Sequence, residues 1–175
     1  MQIHTLGPEV TDSYAAAQAY NHRDLQDQAK IVGHPSFEMI LANLAVYSGD
    51  RLIIPAAFKS TTLHASWGDV HYALLSQLTL LTCFMTKLDP LVVIQRLDAD
   101  NQIGYTHAAT AQLLTRLVHN VTVQAVASKY LAYQAYQQNQ AAYVLTNEKN
   151  VTLTTHERQL TRLTPSMVWC VYQIN

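Results

Sequence analysis

The apolar residues of this chain fall into short runs with polar or turn residues at their ends. Segments 2–6, 29–33, 51–55, 78–85, 91–95, 121–124, 141–145 and 167–173 carry the pattern of strands. Between them the period lengthens to that of helices. Segment 11–20 is rich in alanine behind a capping threonine. In 36–46, Phe37, Ile40, Leu41 and Leu44 recur at helical spacing, Ser36 can cap the start, and Glu38 sits in the first turn, where the helix dipole favours a carboxylate. Segment 106–118 gathers Leu113, Leu114, Leu117 and Val118 on one side, and 125–138 carries Tyr130, Tyr133 and Tyr136 as a stripe. This alternation predicts an α/β protein with largely parallel sheets. A polar loop at 147–150 precedes a candidate short strand at 151–154. Lys87-Leu88-Asp89-Pro90 interrupts two apolar runs and marks the start of a second lobe.

Composition narrows the function classes. The chain has 175 residues, of which 49% are hydrophobic and 13% charged, enough apolar content for a packed core without disulfides. A net charge of -1 gives no basic field for a phosphate backbone, so nucleic acid is not an expected partner. No apolar run approaches the ~20 residues of a membrane span, and Met1-Gln2-Ile3-His4 lacks the character of a signal peptide. Cys83 and Cys170 read as two buried thiols in a reducing compartment, and the expected location is the cytoplasm. No P-loop, GxGxxG, CxxC or HExxH is present, so neither a metal nor a cofactor is expected.

Leu6-Gly7-Pro8-Glu9-Val10-Thr11-Asp12-Ser13-Tyr14 resembles the opening LGPEGTFS motif of prephenate dehydratases. As a strand, a turn and a helix start, it places the Thr11 and Ser13 hydroxyls beside free backbone N–H groups, an arrangement that attracts carboxylates. Read alone, Thr11 is first of all a helix cap. Asp50-Arg51-Leu52-Ile53-Ile54-Pro55-Ala56-Ala57 resembles the family strand that ends in P-x-E-N, with Ala56-Ala57 in place of Glu-Asn. Segment 78–84 and Leu145-Thr146-Asn147-Glu148 are similar to the prephenate decarboxylase branch of bacilysin biosynthesis, which also lacks the Glu-Asn pair. Ile103-Gly104-Tyr105-Thr106-His107 resembles the family's S-H-P turn.

The resemblance covers nearly the whole chain. It implies a two-lobed fold like that of type II periplasmic ligand-binding proteins, with a cleft between the lobes. Lobe one would span 1–85 and lobe two 86–175, the last strand returning to the hinge. No room is left for an ACT domain, so remote inhibition by phenylalanine is not expected.

Dehydratases carry T-R-F before the last strand of the catalytic domain, and its threonine assists departure of the ring hydroxyl. Two registers compete here. Thr161-Arg162-Leu163 has nearly the right letters; Ser166-Met167-Val168 has the right place, directly ahead of the apolar strand, and is favoured. That register weakens the acid needed for dehydration. The resemblance then implies a prephenate-converting lyase that decarboxylates without forming an aromatic ring. Dehydration to phenylpyruvate and a catalytically silent small-molecule-binding module are the alternatives. Ser166 and Thr11 are the catalytic candidates. Ser13, Thr106, His107, Thr146 and Asn147 are the candidate contacts for a small anionic substrate, with ordinary capping and turn roles open for His107, Thr146 and Asn147. A homodimer is compatible with the family. A structural partner subunit that docks through the tyrosine helix is the option from another class; burial of the stripe would weaken it.

Overall fold

A computed structural model describes residues 1–175. The chain divides into two units: Met1–Lys87 with Ser166–Asn175, and Leu88–Pro165. In chain order the first unit holds β1 (Gln2–Leu6), α1 (Asp12–Leu25), β2 (Lys30–His34), α2 (Phe37–Leu41), β3 (Arg51–Pro55), β4 (Lys59–Ser60), β5 (Ala65–Ser66), α3 (Trp67–Ala73) and β6 (Leu78–Lys87). The second holds β7 (Leu91–Arg96), β8 (Ile103–His107), α4 (Ala111–Leu117), β9 (Thr122–Val126), α5 (Lys129–Gln138), β10 (Tyr143–Asn147) and β11 (Glu157–Leu163). The last strand, β12 (Ser166–Ile174), belongs to the sheet of the first unit. No helix is long and apolar enough to cross a membrane.

The first sheet has the order β2-β1-β3-β12-β6. Its first three strands run parallel, whereas β12 is antiparallel to both β3 and β6. Leu52, Ile53 and Ile54 of β3 are fully buried, so both faces of this central strand are covered. Ala16 and Ala17 are buried on α1, where small side chains let the helix lie close to the sheet. Asn21 fastens the end of that helix to the next strand, donating to Ala29 O at 2.8 Å and accepting from Ala29 N at 3.1 Å. The Leu6-Gly7 turn lies directly on Gly33: a Cβ on Gly7 would come within 3.1 Å of the Gly33 carbonyl carbon. Here glycine serves close backbone approach. On the other face, Phe37, Ile40, Leu44, Phe58, Val70 and Tyr172 close a core over Leu52 and Ile54.

The second sheet has the order β11-β7-β10-β8-β9, parallel through β10, β8 and β9 and antiparallel where β7 joins β10 and β11. Gly104 on β8 is required by crowding, since a Cβ there would stand 2.6 Å from Val121 Cγ2 and 3.0 Å from Leu114 Cδ2. On α5, Tyr133 and Tyr136 are buried while Tyr130 is exposed. The Tyr136 hydroxyl donates to the Glu157 carboxylate at 2.7 Å; burial, and then this bond, push the phenol far above its usual range. Most of the tyrosine stripe is therefore core, which weakens the partner-subunit reading.

Several expectations are corrected. The sheets are mixed rather than largely parallel, because β12 runs antiparallel to β3 and β6, and β7 runs antiparallel to β10 and β11. The helix expected over 36–46 stops at Leu41 and resumes as a 3-10 turn at Leu44–Tyr47. Between them the Asn43 side chain donates to Met39 O at 2.8 Å, competing with the helical ladder. The helix expected over 106–118 begins only at Ala111, and Thr106 and His107 close β8 instead. Segment 151–154 is not a strand; Thr152 N donates to the Tyr133 hydroxyl at 3.1 Å, and the strand follows at β11. Helix α3 is absent from the sequence expectations, although it starts at a capping box in which Ser66 and Asp69 bond each other's backbone. Cys83 is exposed on β6; Cys170 is buried with Sγ 3.6 Å from that of Cys83.

Candidate functional site

Parallel strands in open α/β sheets present ligands at their carboxyl ends. In the first unit that edge carries the Leu6-Gly7-Pro8 turn, His34 at the end of β2, Ala56-Ala57 after β3, and the start of antiparallel β12 at Ser166. Thr11 caps α1: its hydroxyl accepts from Tyr14 N at 3.2 Å and donates to Leu6 O at 2.8 Å, tying the helix start to the strand end. Ser13 is buried in the first turn. Ser166 is exposed, pairs with Lys87, and leads into Val168, whose carbonyl accepts from Ala56 N at 2.9 Å. Thr11, Ser13 and Ser166 thus share one edge of one sheet. Beside them, Tyr14 donates to Glu9 at 3.3 Å, and burial and then the Glu9 charge raise its pKa.

In the second unit, Thr106, His107, Thr146 and Asn147 stand together at the carboxyl ends of the adjacent parallel strands β8 and β10. The fully buried Thr106 hydroxyl donates to Leu145 O at 3.0 Å and lies 2.7 Å from Thr110 Oγ1. The fully buried Thr146 hydroxyl donates to Lys129 O at 2.7 Å, holding the first turn of α5, and accepts from Asn150 Nδ2 at 3.0 Å. His107 caps the single 3-10 turn Ala108–Thr110, accepting from Ala109 N at 3.3 Å.

The competing motif register finds Thr161 and Arg162 inside β11. Arg162 grips Glu148 with two bonds, at 2.8 and 2.9 Å, and this fork holds the Glu148 carboxyl below its usual range. Both side chains of that pair are substantially exposed. No group of three or more histidine, cysteine, aspartate or glutamate side chains could hold a metal ion.

The sequence reading passed over one buried polar cluster. His4, in the middle of β1, places Nδ1 2.8 Å from His34 Nε2 and Nε2 3.2 Å from Asp50 Oδ2. The Tyr47 ring stacks on His4 with centroids 4.1 Å apart, and also borders His34. Burial, and then the neighbouring His4, lower the His34 pKa. The only linear signal was a histidine at the centre of a strand otherwise read as core.

No protein-family model matches the sequence, and no curated protein matches it at a significant level. Solved structures do. The chain is similar to a prephenate dehydratase from Arthrobacter aurescens in complex with L-Phe, at 13% identity and a TM-score of 0.56 over 100% of this chain and 61% of that one. It is similar to the prephenate dehydratase of Staphylococcus aureus, at 12% identity and a TM-score of 0.53 over 99% of this chain and 66% of that one. The periplasmic VFT2 domain of Bordetella pertussis BvgS matches at 16% identity and a TM-score of 0.53, over 99% of this chain and 79% of the domain. The chain thus spans less than two thirds of the length of both dehydratases. These likenesses establish the fold: a mixed α/β, two-lobed architecture of the type II periplasmic-binding-protein kind.

Proposed function

We propose that this chain binds a small carboxylate of the prephenate type and converts it as a cofactor-independent lyase, decarboxylating it with the ring hydroxyl kept. The observation that carries the reading is the shared edge in the first unit, where Thr11 and Ser13 open a 14-residue helix and Ser166 opens β12 at the same edge. Free N–H groups and the positive end of the helix dipole suit a carboxylate. The N–H groups of the helix start that Thr11 sets in place, together with Ser13, hold it there, and Ser166 offers a hydroxyl to the reacting ring. In the second unit Thr106 and Thr146 fix β8, β10 and α5, and so order the strand edge that carries His107 and Asn147.

Loss of the ring carboxylate as carbon dioxide leaves an electron pair in the ring. A dehydratase directs that pair to expel the hydroxyl, which needs an acid aimed at it. Ala56-Ala57 is apolar at the end of β3, and Arg162 is bound to Glu148 within β11. Ser166-Met167-Val168 forms the start of β12. These features favour protonation of the ring over loss of its hydroxyl. A second reading, ligand binding without turnover, is favoured by the internal bonding of the Thr106 and Thr146 hydroxyls.

Incubation with prephenate, followed by separation and mass analysis of products, tests the reading. A dihydro-hydroxyphenylpyruvate product supports decarboxylation. Phenylpyruvate as the main enzyme-dependent product overturns it in favour of dehydration. Binding without product establishes the silent module.

A further inference from the structure

The cluster of His4, His34 and Asp50 crosses the first sheet diagonally. Register places His34 opposite Leu6 and His4 opposite Leu52, so the three side chains lie on one face, two residues apart in height from strand to strand. Asp50, just ahead of β3, has a 20% exposed side chain, whereas the His4 side chain is only 2% exposed. His34 ends β2 at the carboxyl edge, and its carbonyl accepts from Gly7 N of the opening turn at 2.8 Å.

The chemistry of the partners assigns the protons. A carboxylate only accepts, so the neutral His4 ring carries its hydrogen on Nε2 and donates to Asp50. His4 Nδ1 is then a lone pair and accepts from His34 Nε2. The neutral His34 ring is left with a bare, basic Nδ1. A carboxylate behind an imidazole fixes tautomer and orientation and stabilises the cation that forms. Here that effect passes through a second imidazole.

We propose that Asp50 and His4 are positioning residues that hold His34 as a proton acceptor at the ligand edge, so that a small carboxylate binding there does so with uptake of one solvent proton onto His34. This rests on the reading of that edge as a carboxylate site. It adds a proton-linked contact and a source for the proton that ring protonation requires. The groups around His34 leave room for that charge. Tyr47 and His4 border its ring. Glu38 is the only ionisable group on α2, and Lys30 lies at the far end of β2. From the α1 side, Tyr14 borders Gly33, with its hydroxyl on Glu9. Burial, and then His4, lower the His34 pKa and so favour its uncharged ring before an anion binds.

The test uses the full chain with phenylpyruvate as probe, by calorimetry in buffers of different ionisation heat. Wild type should take up about one proton at pH near 8, and its affinity should fall roughly tenfold per pH unit above neutrality. In His34→Gln the amide nitrogen can still donate to His4, so the buried bond survives; uptake should vanish and affinity become flat with pH. In Asp50→Asn uptake should weaken. Binding that is flat with pH in wild type, or uptake unchanged in His34→Gln, overturns the proposal and leaves the carboxylate site standing. Failure of phenylpyruvate to bind overturns the carboxylate reading instead. Ring-nitrogen NMR at pH near 8 then decides the cluster: an unprotonated His34 Nδ1 that becomes mixed in Asp50→Asn supports it, and a protonated Nδ1 in wild type overturns it.

Discussion

In the second unit, the polar residues at the strand edge hold the unit together. Thr106 ties β8 to β10 through Leu145 O, and Thr146 ties β10 to α5 through Lys129 O, with both side chains fully buried. In the first unit the corresponding edge is built differently. Thr11 bonds only within its own turn and helix start, Ser166 is exposed, and His34 is backed from behind by His4 and Asp50. The difference is in where each polar group sends its hydrogen bonds. A fully buried hydroxyl that donates to the backbone carbonyl of another element, with its remaining site met by a neighbouring side chain, is structural, whatever the motif around it suggests.

Substitutions test this contrast, beginning with the largest expected effect. Gly104→Ala forces a methyl against Val121 and the fully buried Leu114, and should cost about 1–3 kcal/mol of stability. Urea unfolding followed by circular dichroism measures it. Trp67 and Trp169 both lie in the first unit, so tryptophan fluorescence reports that unit alone. A loss in the dichroism transition with little change in fluorescence would localise the damage to the second unit.

Thr106→Val should cost about 1–2 kcal/mol by leaving Leu145 O without its donor. Its effect on ligand affinity should be no greater than this loss of stability explains. Thr11→Val is the matched change in the first unit. Loss of the cap should cost about 1 kcal/mol, but carboxylate affinity should fall as well. A Thr11→Val protein with a lower melting temperature and unchanged affinity would erase the contrast.

Arg162→Ala removes a surface fork to Glu148 and should leave both the urea midpoint and any prephenate turnover unmoved. Abolished turnover would restore Thr161-Arg162 as the working motif. The smallest effect concerns the thiols. Cys83 is exposed, whereas burial and the neighbouring Cys83 push the Cys170 thiol up to about 12. One fast-reacting thiol per native chain is expected with an aromatic disulfide reagent, the second reacting only on unfolding.

Legibility followed the range of the interactions involved. The caps at Thr11 and Ser36 depend on neighbours three residues away, and both accept from the expected backbone N–H, of Tyr14 and of Met39. Strand β11 was missed because it is an edge strand with little burial, so its apolar period is faint. The His4, His34 and Asp50 cluster was missed because its members are 30 and 46 residues apart along the chain and meet only through strand register.

By itself, then, the sequence determined most of the segments that become strands and helices, several helix starts, and the α/β class. These follow from local periodicity and capping, which are written along the chain. The tertiary structure alone decided that β12 enters the first sheet antiparallel to both β3 and β6, that Thr106 and Thr146 face inward onto carbonyls, and that two histidines and an aspartate form one line under Tyr47. Periodicity states which faces are buried, but not which strand pairs with which. The partner of every buried polar group depends on that pairing.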